Sequence, residues 1–357
     1  MKLFNNRLRS FERGYLAFLM IAMTTTCFSL PVTQNRESPI AIVIHGGAGT
    51  INRELMSDEM ERRYRGVLAK AIESGYQILK NDGSSTEAVI ATITILEDSP
   101  LFNAGHGAVF NHDGNIELDA SIMQGSDLNA GAVAAVSRVR NPITLALSVL
   151  EHSPHVMLVG EGAEMFAKQQ GIPLVPNQYF KTERRRLQLE EILAKEKGVS
   201  LSKTTPNALL AAYRFDEKKL GTVGAVAIDK NGDIAAGTST GGMTNKRFGR
   251  VGDVPVIGAG TYADNNSCGI SATGHGEYFI RAAVAHDICA RMEYKGISLQ
   301  QAQDEVVQDK LVKMNGSGGV IGVDKDANVA FSFNSLGMYR ASINKDGVRQ
   351  IKIFKDD

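Results

Sequence analysis

Thr222 follows Gly221 at the head of an apolar run, GTVGAVAID over 221–229. In an intact chain such a threonine is an ordinary β-branched strand residue. Were the bond between Gly221 and Thr222 broken, Thr222 would start a new chain, with a hydroxyl nucleophile and a free amine on one residue. An α-amino group has a reference pKa of about 7.7–8.0, so it can serve as general base near neutrality without a histidine. Gly221 would let the backbone bring that hydroxyl onto the preceding carbonyl. STGGMTNK at 239–246 runs into GRVGD at 249–253, where Arg250 and Asp253 stand three apart in a glycine-bounded turn. A guanidinium can hold a carboxylate through two bonds and a carboxylate can hold an ammonium, which together match a free amino acid. An isolated R-x-x-D is also what a surface ion pair looks like. TGHGE at 273–277 marks a strand entering a helix. There the Thr273 hydroxyl and backbone N–H groups could form an oxyanion hole, or merely a Gly-rich helix entry. HGGAG at 45–49 follows an apolar run and reads as a phosphate cradle or a tight turn. It lacks the third glycine of a dinucleotide fingerprint and the Lys-Ser/Thr of a P-loop. His45 is either catalytic or a buried, hydrogen-bonded histidine.

These residues need a scaffold. Apolar runs and turn signals predict strands at 40–44, 107–112, 116–124, 130–139 and 156–159. Helices are expected at 56–80, at 84–96 behind a Ser84/Glu87 capping box, at 142–152 and at 161–170. KTERRRLQLEEILAKEK at 181–197 reads as a solvated helix within a mobile linker at about 171–221. Beyond it come a hairpin at 221–229 and 234–240, strands near 256–261 and 268–272, helices at 277–292 and 299–314, and strands at 320–323, 329–333 and 338–342. Two sheets covered by helices follow, a layered α/β or α+β architecture.

The 357 residues carry 39 Lys+Arg against 39 Asp+Glu, which argues against a nucleic-acid partner. Hydrophobic residues at 43% and charged residues at 22% exclude a disordered, collagenous or mainly membrane-embedded chain. Glycine, 36 residues, exceeds the usual level of about 7% and points to backbone lying close to something. Lys2, Arg7, Arg9 and Arg13 precede an apolar run over 15–23 and small polar residues, the order of a secretory leader ending near Ser29. Export to the periplasm or beyond is therefore expected, with an uncleaved extension on a cytoplasmic protein as the alternative. Cys268 and Cys289 remain after such a leader and read as two small buried residues, although export would permit a bridge.

The chain resembles the plant-type asparaginase/isoaspartyl peptidase family of N-terminal nucleophile hydrolases. The resemblance rests on HGGAG, LFNAGHGAVF at 101–110, ELDASIM at 117–123, NPITLA at 141–146, SPHVMLVGEGAE at 153–164, GTVGAVAID, STGGMTNK, GRVGD, GAGTYAD at 258–264, TGHGE and GMYR at 337–340. It covers residues 39 to the end, apart from 171–220. It implies an α+β fold, a four-layer αββα sandwich over 39–357, cut by the protein itself after Gly221. The α and β chains would pair as a dimer of αβ units. Carried over by motif, Thr222 is the nucleophile and Thr240 tunes it. Arg250 holds the substrate α-carboxylate, and Asp253 with the Gly276 carbonyl holds its α-amino group. Thr273 and Gly274 stabilise the oxyanion, and Asn103 lies near the nucleophile. Catalysis would need no cofactor. A structural sodium ion would bind backbone carbonyls of Leu96, Glu97, Ser99, Phe102, Ala104 and His106. His275 departs from the pattern, since relatives often have Thr or Asn between the two glycines. The expected activity is hydrolysis of L-asparagine and β-aspartyl dipeptides to aspartate. The rivals are a glycosylasparaginase, an amino-acid kinase using HGGAG, and an uncut periplasmic amino-acid-binding protein.

Overall fold

The computed structural model describes residues 39–198 and 221–357. The expected leader and its cleavage position lie outside the described residues. Strand β1 (Ala41–Gly49) opens the fold, followed by helices α1 (Asp58–Lys80) and α2 (Ser85–Glu97). Ser57 caps α1 through the Met60 amide, and the capping box of Ser84 and Glu87 opens α2 as expected. Strands β2 (Leu118–Gln124) and β3 (Ala130–Val136) precede α3 (Pro142–His152), which starts on its proline. Next come β4 (Met157–Val159), α4 (Gly160–Gln169) and α5 (Glu183–Glu196). After residue 221 the order is β5 (Val223–Ile228), β6 (Ile234–Thr240), β7 (Thr261–Ala263), β8 (Cys268–Gly274), α6 (Gly276–Ala282), α7 (Val284–Lys295) and α8 (Leu299–Asp304). Strands β9 (Gly318–Asp324), β10 (Val329–Phe333), β11 (Gly337–Ile343) and β12 (Arg349–Phe354) close it.

The fold is mixed α+β with two sheets. The larger runs β12-β11-β1-β5-β6-β2-β3-β4 and the smaller β10-β9-β8-β7. All neighbours are antiparallel except β3 and β4. Apolar residues gather in three cores. One joins α1, α2 and α3 to the larger sheet, a second joins facing residues of the two sheets, and a third joins the smaller sheet to α6, α7 and α8. Strand β5, which starts one residue after Thr222, has β1 on one side and β6 on the other.

Several local expectations are corrected. HGGAG is not a turn after a strand, because β1 continues through it with a bulge between His45 and Gly47. Residues 107–112 form no strand, only two isolated bridges, from Phe110 to Ile116 and from Asn111 to Lys246. Their backbone groups go to turns and side chains instead: His112 N–H to Lys246 O at 2.9 Å, Val109 N–H to Asn103 Oδ1 at 2.9 Å and Gly107 carbonyl to Arg185 Nε at 2.7 Å. The strand near 256–261 shifts to Thr261–Ala263, since Val256 and Gly260 amides are used in turns. The helix expected over 277–292 breaks at Ala283, which is left-handed at φ 49°. The helix expected over 299–314 contains a π-helical segment at Glu305–Lys310. Strand β12 was not expected from the sequence, since only Ile353 and Phe354 of its six side chains are buried.

The charged stretch at 181–197 does form a helix, yet it is not simply solvated. Arg185 and Leu189 are buried, Phe180 is fully enclosed, and Asn177 Nδ2 donates to the carbonyls of Ile116 and Ser137. Of the expected linker, the stretch from Asn177 to Leu189 is thus anchored to the rest of the fold, and 199–220 lie outside the described residues.

Cys268 and Cys289 are buried as expected, but they are joined as a disulfide that ties β8 to α7 across 21 positions. Closing a loop of that length restricts the unfolded chain by about 3 kcal/mol. Replacing both cysteines by alanine is expected to lower unfolding stability by about that amount. Urea unfolding checks it, and an unchanged midpoint would refute it.

Candidate active site

Thr222 is buried at the head of β5, with His45 of β1 opposite Gly224 and Ser239 of β6 opposite Val223. Three donors converge on the carbonyl oxygen just before it. Asn103 Nδ2 reaches Gly221 O at 2.8 Å, Thr222 Oγ1 at 2.8 Å and Thr240 Oγ1 at 3.0 Å. Thr222 Oγ1 and Thr240 Oγ1 are themselves 3.1 Å apart. Asn103 is held on both faces, because its Oδ1 accepts from Val109 N and its Nδ2 also donates to Gly242 O at 2.8 Å. A carbonyl so polarised, with a hydroxyl beside it, is arranged for addition at carbon.

The glycines of HGGAG serve that spot. Gly47 has φ 110°, and a Cβ there would stand 3.1 Å from Gly221 Cα. A side chain would therefore be strained and would press on the bond itself. That removes the phosphate-cradle reading, since the motif is sheet backbone packed against residue 221. Thr273 is linked to the same place, as Ala48 N donates to Thr273 Oγ1 at 3.4 Å.

Arg250 and Asp253 meet at the entry of α6. A Cβ on Gly276 would lie 2.8 Å from both Arg250 Nη2 and Asp253 Oδ1, so the two charged ends flank one point. Arg250 Nε donates to Glu277 Oε1 at 2.9 Å. Asp253 is buried and its Oδ2 has no hydrogen-bond partner. Burial pushes its carboxyl up to about 7, partly offset by Arg250. Below that pH it is neutral and cannot hold an ammonium. Binding of an amino acid such as aspartate is therefore expected to strengthen as pH rises through about 7, and Asp253→Asn to abolish this limb. Calorimetric titration across the range decides it; an equally steep rise in the variant would rule Asp253 out.

Two charged neighbours of the clamp lie outside the sequence expectation, Lys246 and Asp119. Lys246, almost wholly enclosed, donates to Glu117 O at 2.9 Å, and its Nζ would be 3.2 Å from a Cβ on Gly242, with Arg250 Nη1 at 3.4 Å. Burial lowers its pKa against the pull of Asp119 and Glu117. Asp119 sits opposite Thr240 in the sheet, accepts from Ala135 N at 2.8 Å, and leaves Oδ2 unpartnered. Burial raises its pKa, with Lys246 the main opposing charge. The signal was present, in that TNK and ELDASIM place a lysine and an aspartate inside otherwise apolar or small-residue segments.

Leu96 and Glu97 end α2, and Ser99, Phe102, Ala104 and His106 lie along the following segment that carries Asn103. Their side chains turn elsewhere where they are polar. Glu97 accepts from Ser239 Oγ at 2.6 Å and Ile143 N at 3.1 Å, and burial pushes it up to about 8. His106 Nδ1 pairs with Tyr179 O at 2.8 Å. Backbone carbonyls of Glu97 and Phe102 point at Gly105 and Gly107, where a Cβ would come within 2.4 Å and 2.1 Å of them. His275 caps nothing with its side chain, and its buried Nδ1 has no partner.

The Asparaginase_2 family model, described as asparaginase, matches residues 38–353. An "Isoaspartyl peptidase" of Salmonella typhimurium is 52% identical over 300 residues, covering 84% of this chain and 94% of that protein. One of Escherichia coli is 50% identical, over 84% of this chain and 91% of its own length. An "Isoaspartyl peptidase/L-asparaginase" of Bos taurus is 43% identical, over 87% and 94%.

Proposed function

This chain belongs to the asparaginase family, and from that premise we propose that it is an isoaspartyl peptidase and L-asparaginase whose nucleophile, Thr222, is freed by self-cleavage. The observation that carries the mechanism is the convergence of Asn103, Thr222 and Thr240 on the Gly221 carbonyl. In the uncut chain Thr222 Oγ adds to that carbonyl carbon while Asn103 and Thr240 receive the charge on oxygen. The C–N bond then breaks, nitrogen takes a proton, and water hydrolyses the Gly221 ester. The order of helices, sheet, sheet and helices through the three cores supports the αββα sandwich of N-terminal nucleophile hydrolases.

In the cut protein Arg250 takes the α-carboxylate of the aspartyl group, and Asp253 with the Gly276 carbonyl takes the α-ammonium. Thr222 Oγ attacks the β-carbonyl, passing its proton to its own amine, with Thr273 and Gly274 on the oxyanion. Ammonia or an amino acid leaves with that proton, and water releases aspartate from the β-aspartyl ester. The residues present suffice without a cofactor. A structural sodium ion is part of this reading: it would take backbone carbonyls of Leu96, Glu97, Ser99, Phe102, Ala104 and His106, neutral oxygens of the kind a hard cation prefers. It would hold the loop and Asn103 in place.

Mature protein is a dimer of αβ units in this reading, and it works in the periplasm or outside the cell. The basic-apolar leader and the Cys268–Cys289 bridge both support an oxidising compartment. The test is intact mass of purified protein together with aspartate release from asparagine, β-aspartyl-leucine and a glycosylated asparagine. Two fragments meeting at Thr222, with release from the first two substrates, are expected. A single uncut chain that still binds aspartate would instead make it an amino-acid-binding protein, and release only from the sugar conjugate a glycosylasparaginase.

A further inference from the structure

The layer between the two sheets is built from Ala, Val, Ile and Met, yet a file of hydroxyls crosses it. His45 Nδ1 bonds Thr222 O at 3.1 Å and its Nε2 bonds Ser271 Oγ at 2.9 Å. Ser271 Oγ is 2.7 Å from Thr238 Oγ1, which takes the Thr261 hydroxyl at 2.6 Å and reaches Gly260 O at 3.2 Å. Ser121 Oγ stands 2.8 Å from Thr261 Oγ1 and donates to Val254 O at 2.6 Å. All five side chains are fully buried. One end of the file is therefore the main chain of Thr222 and the other is the residue after Asp253.

We propose that His45, Ser271, Thr238, Thr261 and Ser121 act as one positioning chain that sets the nucleophile against the substrate clamp. The inference rests on the catalytic reading of Thr222, Arg250 and Asp253 given above. Buried hydroxyls cost stability unless fully paired, and the five lie on five different strands, so the fold does not need them for its sheets. Gly224 shows how closely the chain is fitted: a Cβ there would be 2.0 Å from Ser271 Oγ and 2.5 Å from His45 Nε2. Burial drives the His45 pKa down to about 3, so the ring is neutral throughout the working range. With the Thr222 carbonyl as acceptor, Nδ1 carries the proton and Nε2 must accept from Ser271. His45 thereby orients Thr222 through its carbonyl without touching the reacting atoms.

The two ends predict opposite kinetic signatures. Ser271→Ala is expected to slow self-cleavage and lower kcat for asparagine about tenfold, with KM within about twofold. Ser121→Ala is expected to raise KM about tenfold with kcat within about twofold. Thr238→Val shifts both, and Thr238→Ser, which keeps the hydroxyl, restores both. Unchanged kinetics in both end variants, or equal loss of kcat and binding not recovered by Thr238→Ser, would overturn the chain. Imidazole ¹⁵N shifts give a readout independent of turnover: His45 should be the Nδ1–H tautomer, and Ser271→Ala should shift Nε2. An inactive wild type would sink the proposed function and the positioning role that rests on it, whereas an Nε2–H tautomer in an active enzyme would sink the chain alone.

Discussion

Thr222→Ala protein is expected to purify as one uncut chain and to release no measurable aspartate, a loss of at least about 10⁴-fold in kcat. Both failures have one cause. In the proposed mechanism the hydroxyl that adds to Gly221, 2.8 Å from its carbonyl oxygen, is the one that later attacks substrate. Removing it leaves Asn103 and Thr240 polarising a carbonyl that nothing attacks. Thr222→Ser keeps the nucleophile and is expected to cut, more slowly, because it loses the methyl that limits rotation. A denaturing gel and an aspartate assay on the two variants suffice. A Thr222→Ala chain that still cuts after Gly221 would show that a different group does the work.

Arg250→Ala separates the two reactions. The guanidinium lies by Gly276 and Glu277, while the donors on Gly221 come from Asn103, Thr222 and Thr240. Self-cleavage should therefore proceed at the wild-type rate, while kcat/KM for asparagine falls by about 3 kcal/mol, roughly 10²-fold. Most of that loss should sit in KM. Arg250→Lys restores little, since an ammonium cannot reproduce the two-pronged grip on a carboxylate. Equal damage to cleavage and hydrolysis would place Arg250 in the general scaffold rather than in the clamp.

The residues of the proposed clamp and cleavage point stand out in the sequence because each set is compressed into a few consecutive residues. A glycine before a threonine, or an arginine three before an aspartate, is a local pattern with local chemistry. HGGAG misled in isolation because its function is to be thin: the glycines make sheet backbone that can lie against Gly221, which no neighbouring residue announces. The file from His45 to Ser121 was invisible for the opposite reason. Each member is one polar residue in a strand of its own, at 45, 121, 238, 261 and 271, and only the stacking of two sheets brings them into line. The same holds for Lys246, whose neighbours Glu117 and Asp119 come from across the sheet. Helices were better placed, because caps such as Ser84 with Glu87 and Pro142 at a first turn are local signals.

The order of strands in the larger sheet carries a consequence for the life of the molecule after the proposed cut. Strands β1 to β4 precede residue 221 and β5, β6, β11 and β12 follow it, and the sheet alternates between the two groups, with β1 enclosed by β11 and β5. The fragments are interleaved within one hydrogen-bonded layer, so the cut frees neither. Before cleavage, folding is a reaction of one molecule, with a rate that ignores concentration. Afterwards, a denatured pair must first find each other in solution, and recovery becomes second order. Maturation by such a cut would trade reversibility for activity: the precursor could make mistakes and refold, whereas the mature enzyme would keep its shape mainly by not unfolding.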